Sequence, residues 1–179
     1  MSDCRENSAK GGQQSVVLRA AEAADAASLA AIYNLYITDT VVTFEIEPIV
    51  EAEMLRRLSS ITATMPWLVA EDSSGAILGY AYATQWKARA AYDLAREVTV
   101  YLKPGCANLG LGTRLYEALI RVLRETPIHV LIASIAQPNA ASVALHEKLG
   151  FKKVGEFEEI GFWAWVRSRG SAALAGLKK

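Results

Sequence analysis

The 179-residue chain has no excess of either charge: 19 Lys plus Arg balance 19 Asp plus Glu. A nucleic-acid or membrane-surface binder collects its partner with a one-signed field, and this chain has none to offer. Long apolar runs are missing as well. No stretch reaches the roughly 18 consecutive apolar residues of a membrane-spanning helix, so neither nucleic acid nor membrane is expected as a partner. Cysteine is scarce: Cys4 and Cys106 cannot build a disulfide framework, and a reducing cytosol is the simplest setting. Residues 1–14 lack a hydrophobic run ending in a small-residue cleavage site, so they do not read as a secretory signal. Rich in Gly, Gln, Ser and charge, they offer too little apolar surface to offset the entropy of ordering, and read as a tail.

What is present is a globular composition, 52% hydrophobic and 21% charged. With about 100 to 200 residues per domain as the usual range, one domain over residues 15–168 is expected, and the Ala-rich residues 169–179 read as a C-terminal tail. Residues 16–19 form a short strand pattern. A helix follows over 23–36, with Ala27, Leu29, Ala30, Ile32, Tyr33 and Tyr36 on its buried face. After an irregular stretch, residues 50–59 suit a second helix with Met54, Leu55 and Leu58 inward. Strands are expected over 67–71 and 77–84, joined by the turn residues 72–75, and over 95–102. A Gly-rich turn then opens a helix to about Arg124 whose core face is Leu115, Ala118, Leu119, Val122 and Leu123. Residues 130–136 are a continuous apolar strand run, Pro138 and Asn139 start a last helix ended by Leu149-Gly150-Phe151, and 151–166 read as further strand. The order is that of a mixed α/β (α+β) domain in which a strand–Gly-rich turn–helix unit adjoins a strand–Asn–helix unit.

The segment Asn108-Leu109-Gly110-Leu111-Gly112-Thr113 lies between a strand and a well-patterned helix. Glycines allow close backbone approach, and a helix start presents unpaired N–H groups, so this segment can cradle an anion; a tight turn without ligand fits it too. There is no Gly-Lys-Ser/Thr of a P-loop and no third glycine of a dinucleotide fingerprint, which disfavours ATP and NAD.

That turn, followed by a strand and then Asn139-Ala-Ala-Ser-Val-Ala-Leu-His-Glu-Lys-Leu-Gly-Phe151, resembles the GNAT superfamily of acyl-CoA-dependent N-acyltransferases. Within it, Trp86-Lys-Ala-Arg89-Ala-Ala-Tyr92-Asp93 followed by Glu97-Val-Thr-Val-Tyr101 is similar to the phosphinothricin and methionine sulfoximine/sulfone N-acetyltransferases. The likeness runs from about Val16 to Phe162. It implies a GNAT-type twisted sheet flanked by helices, acetyl-CoA as co-substrate, no metal, a small-molecule amine as acceptor, and a cytoplasmic homodimer. It also implies roles: Val100, Tyr101 and Leu102 as the strand edge for the pantetheine arm, with a nearby backbone N–H steadying the carbonyl oxygen. Residues Asn108 to Thr113 would hold the pyrophosphate, with Asn139 and Ser142 near the CoA arm. Asn139 also suits an N-cap.

Glu97 would take the proton of the attacking amine. His146 stands where many relatives carry a tyrosine that protonates the departing thiolate, although a helix-borne histidine also serves as a packing or capping residue. Arg89 and Tyr92, with Val98 and Thr99, would meet the substrate. An amino-acid-like substrate carries an anionic group that Arg can grip bidentately, and Lys87 and Arg96 are rival cations. Phe44 and Glu45 match a family loop that closes over the substrate. Tyr80 and Tyr82 read as core, and His129 as structural. Two departures stand out. Ala107 and Leu109 replace the polar or basic residues usual around the first glycine of the turn. The segment after Phe162 lacks the family's closing Lys-x-Gly-x-Trp block, which puts the last strand, the substrate wall and dimer packing in question. The rival functions are a GNAT enzyme for a polyamine, an aminoglycoside or a protein N-terminus, and an acyl-CoA-binding module without turnover.

Overall fold

The computed structural model describes residues 15–106, 109–163 and 168–178. The expected tail over 1–14 lies outside them. Its elements are β1 (Val17–Ala20), α1 (Ala26–Asp39), α2 (Glu51–Thr62), β2 (Trp67–Glu71), β3 (Ile77–Gln85) and β4 (Ala95–Leu102), then α3 (Leu111–Arg124), β5 (Val130–Gln137), α4 (Ala140–Lys148), β6 (Lys152–Trp163) and β7 (Ser168–Lys178). Among the described residues no helix is long and apolar enough to cross a membrane. The described residues gather into two compact units: 15–32 with 50–83 and those of 99–123, and 33–49 with 84–98 and those from 124 on. Strand β4 passes from the second unit into the first between Val98 and Thr99.

In the first unit the strand order is β1-β2-β3-β4. Antiparallel β1–β2 pairing runs from Val17 opposite Glu71 to Ala20 opposite Leu68. The β2–β3 hairpin closes on Asp72, whose Oδ1 accepts from the N–H groups of Ser74 (2.8 Å) and Ala76 (3.0 Å), while Gly75 takes the positive φ the turn needs. Arg19 binds Asp25 through two bonds of 2.8 Å and Glu71 at 2.6 Å, tying β1 to β2 and to the turn before α1. On β3, Gly79 faces the end of β4 so closely that a Cβ would lie 2.6 Å from Leu102 Cδ2 and 2.8 Å from the Tyr101 carbonyl oxygen. Only glycine fits there. Tyr80 is buried as expected; Tyr82 is half-buried, its ring stacked 4.2 Å from that of Trp67.

The buried face of α3 is Leu111, Gly112, Leu115, Tyr116, Leu119, Ile120 and Leu123. The expected stripe was turned too far around the helix: Val122 is exposed and Ala118 half-buried, while Leu111, Tyr116 and Ile120 take the inner side. Ala27 of α1 and Leu55 of α2 are likewise exposed, and Ile37 of α1 joins the core.

In the second unit the order is β4-β5-β7-β6. The β4–β5 pair is parallel, from Ala95 opposite Val130 to Glu97 opposite Ile132, and stands among antiparallel neighbours, so the sheet is mixed. The C-terminal tail is corrected here: Ser168–Lys178 is strand β7, paired over eight positions with β5, from Ser171 opposite Gln137 to Lys178 opposite Val130, and with β6 on its other side. Its Ala, Gly and Ser residues have little strand preference of their own; two flanking ladders supply what propensity does not.

Candidate active site

Glu97 stands on the last rung of the parallel ladder, opposite Ile132. Side chains on a strand alternate between faces, so Ser134, two residues beyond Ile132, shares the Glu97 face. The Ser134 hydroxyl donates to Glu97 Oε1 at 2.6 Å. The apolar run 130–136 hid this serine from the sequence reading; it is the one polar residue in that run.

On α4, Asn139 is the N-cap, its Oδ1 accepting the Ser142 N–H at 3.1 Å. One turn on, His146 is almost wholly buried, its Nδ1 2.7 Å from the Ser142 carbonyl oxygen and 3.3 Å from Ser142 Oγ. A carbonyl can only accept, so Nδ1 carries the hydrogen and Nε2 is the basic nitrogen of the neutral ring. Burial pushes the His146 pKa below its ordinary 6.5, against the raising effect of the Ser142 carbonyl. Phe151 meets the ring edge-on at 5.1 Å between centroids. The ring borders a cavity of about 200 Å³ that Ile135, Val143 and Gln137 also line. Asn139, Ser142 and His146 therefore form one group, with the imidazole held neutral.

The loop with Phe44 and Glu45 is fastened at both ends. Asn34 of α1 donates to the Ile49 carbonyl at 2.9 Å and accepts its N–H at 2.8 Å, and the Tyr33 and Thr43 hydroxyls lie 3.1 Å apart in the interior. Phe44 is exposed. Arg89 precedes a short 3-10 turn, Ala90–Tyr92, that ends on Tyr92, and both residues are exposed. Of the rival cations, Lys87 lies 5.2 Å over the Trp86 ring, and Arg96 donates at 2.8 Å to the backbone carbonyls of Asp93 and Ala95. Val98 is a core side chain and Thr99 is half-buried. The exposed His129 donates its backbone N–H to the Leu94 carbonyl at 2.8 Å.

In the first unit, Tyr101 turns its ring inward, 5.5 Å from Tyr80, and Val100 and Leu102 are half-buried. Gly110 has φ +73°, with no atom within 4 Å of where its Cβ would be. The chain is thus open to close approach at the start of α3, whose first intrahelical bond runs from Arg114 N to Gly110 O at 3.0 Å. Helix geometry leaves the N–H groups of Leu111 and Gly112 without acceptors inside the helix, and the side of Leu111 is buried, so this turn can offer backbone donors but few side chains. The residues present fit a pyrophosphate. Leu109 is exposed, while Asn108 and Ala107 lie outside the described residues. Cys106, completely buried, is disulfide-bonded. It therefore has no thiolate for covalent chemistry.

The acetyltransferase (GNAT) domain family matches residues 18–163, and the chain belongs to it as an N-acetyltransferase. Its relatives narrow the type. Phosphinothricin N-acetyltransferase of Streptomyces viridochromogenes is 39% identical over 158 residues, covering 83% of this chain and 86% of that protein. The L-methionine sulfoximine/L-methionine sulfone acetyltransferase of Pseudomonas paraeruginosa is 33% identical over 158 residues, covering 85% and 90%. Among solved structures, a GNAT phosphinothricin acetyltransferase from Sinorhizobium meliloti in complex with AcCoA superposes with a TM-score of 0.87 at 35% identity, covering 91% of this chain and 88% of that one.

Proposed function

We propose that this chain acetylates the α-amino group of a small amino-acid analogue of the phosphinothricin or methionine sulfoximine/sulfone kind, with acetyl-CoA as donor. The observation that carries the reading is the Glu97 carboxylate, fixed at the end of the parallel ladder by a short hydrogen bond. Acetyl-CoA, when bound, supplies an acyl group activated as a thioester. Leu111 and Gly112, at the start of α3, offer backbone N–H groups to its pyrophosphate, and Val100 to Leu102 offer main chain to the pantetheine arm in the manner of an added strand. Asn139 and Ser142 would serve CoA as well, as the family likeness implies.

Glu97 would take one proton from the free amine as the C–N bond forms and the thioester C–S bond breaks, with CoA leaving as a thiolate that takes its proton from solvent. An ammonium has no lone pair to attack with, and α-amino groups titrate near about 7.7 to 8.0, so the proton is loosely held at neutral pH. A main-chain N–H near Val100 or Tyr101 steadies the carbonyl oxygen. His146 was expected as the acid for the leaving thiolate. A buried neutral imidazole with its hydrogen on Nδ1 suits that task poorly, and the proposal gives His146 the part of holding the first turns of α4 together. Arg89 supplies the cation for the substrate's anionic group, Tyr92 and Thr99 flank it, and Phe44 and Glu45 cover it. The proposal includes a homodimer in the cytoplasm, as the family likeness implies.

The test is thiol release from acetyl-CoA across phosphinothricin, methionine sulfone, free amino acids, polyamines and aminoglycosides. Turnover confined to the last two would overturn the substrate class. Glu97→Gln is expected to lower turnover by roughly 10² to 10⁴-fold. A loss below tenfold would remove Glu97 as the base, and unaltered function with CoA still bound would favour a module without turnover.

A further inference from the structure

Among the described residues, the carboxylate of Glu97 has one hydrogen-bond partner, the Ser134 hydroxyl. We propose that Ser134 is the positioning residue of the proton acceptor: it holds Oε1 and thereby turns Oε2 to the incoming amine. The inference rests on the assignment of Glu97 as base and adds a second residue to it. Register makes the contact possible. Glu97 pairs with Ile132, and Ser134 follows on the same face about 7 Å along β5, within reach of a Glu side chain that leans along its strand. A serine at 133 would point to the opposite face.

The chemistry of the partner matters as much as its place. A glutamate has three rotatable side-chain bonds, and Glu97 is only half-buried, so packing alone leaves its carboxylate several orientations. A hydroxyl donor fixes one oxygen and leaves the other free, without the second and third donors that an Arg or Lys would bring to the same carboxylate. The 2.6 Å separation falls in the range of hydrogen bonds to ionised carboxylates, which are stronger than neutral ones.

Ser134→Thr and Ser134→Val form the decisive pair: nearly identical in shape, both at home in a strand, and different in the hydroxyl alone. Each is made in the native chain and in Glu97→Gln, and kcat and KM are measured with acetyl-CoA and methionine sulfone or whichever amine the panel selects. Relative to Ser134→Thr, Ser134→Val is expected to lower kcat about tenfold, the low end for a hydrogen bond to a charged group because the pair is partly exposed. The KM for acetyl-CoA and the thermal midpoint should stay alike for the two. In Glu97→Gln the two variants should have equal kcat, since the group to be positioned is no longer a base. Equal kcat for Val and Thr in the native chain, or the same ratio between them in both backgrounds, overturns the proposal while leaving Glu97 as base. A Glu97→Gln loss below tenfold overturns the base assignment itself, and this proposal with it.

Discussion

Replacing Gly79 with alanine tests how tightly β3 holds the strand segment assigned to the pantetheine arm. The new Cβ would meet Leu102 Cδ2 at 2.6 Å, the Tyr101 carbonyl oxygen at 2.8 Å and Leu102 Cα at 3.2 Å. The first of these is the end of a flexible side chain and can rotate away. The other two are main chain and cannot. Ordinary carbon–oxygen contacts lie at about 3.3 to 3.6 Å, so the strands must part by about half an ångström or more at this point. Overpacking of this kind costs about 1 to 3 kcal/mol, and the entropy that alanine removes from the unfolded chain offsets only about 0.4 to 1 kcal/mol. For a chain of this size the midpoint of thermal unfolding should fall by up to about 10 °C. Because the displaced atoms belong to Tyr101 and Leu102, the KM for acetyl-CoA should rise several-fold more than the KM for the amine. Calorimetry and two-substrate kinetics read both effects. An unchanged midpoint together with an unchanged KM for acetyl-CoA would refute the reasoning.

Three further outcomes are expected. His146 is buried with its pKa below 6.5, so the unfolded chain takes up a proton there that the folded chain refuses; stability should fall as pH drops below about 6.5, and His146→Leu should flatten that part of a melting-temperature profile. Asp25 has its pKa held below 3.8, mainly by the Arg19 hydrogen bonds, so its contribution is present above that value and disappears as pH falls through the folded pKa. Asp25→Asn should cost about 1 to 2 kcal/mol in urea titrations at pH 7, well short of a fully buried pair because Arg19 is partly exposed, and progressively less as pH falls below 3.8. Asn34→Ala releases the far end of the Phe44–Glu45 loop, and the KM for the amine should rise while that for acetyl-CoA stays put.

Strand β4 was legible to its ends, since Lys103-Pro104-Gly105 stops the strand expected over 95–102, and the N-cap at Asn139 follows from its side chain alone. The α3 stripe was misread because several apolar residues surround that helix, and only its neighbours decide whether Tyr116 or Val122 faces inward. Strand β7 was invisible for a different reason: Ser171-Ala-Ala-Leu-Ala-Gly-Leu177 carries no β-branched residue, and its strand character comes from the two ladders it joins. Glu97 could be singled out from its motif. Ser134 could not, because its importance depends on the pairing of Glu97 with Ile132, which no local pattern encodes. A lone hydroxyl in an otherwise apolar strand was the available signal.

The placement of β7 between β5 and β6 bears on how the molecule is made. Synthesis delivers β6 before β7, and the neighbour β6 has in the sheet is β7. Until the segment Ser168–Lys178 has left the ribosome, one flank of β5 and the whole of β6 present bare main-chain donors and acceptors, the kind of edge that recruits other chains. A nascent or clipped polypeptide stopping near Trp163 would keep β6 without its partner, and should aggregate more readily than the chain that carries β7.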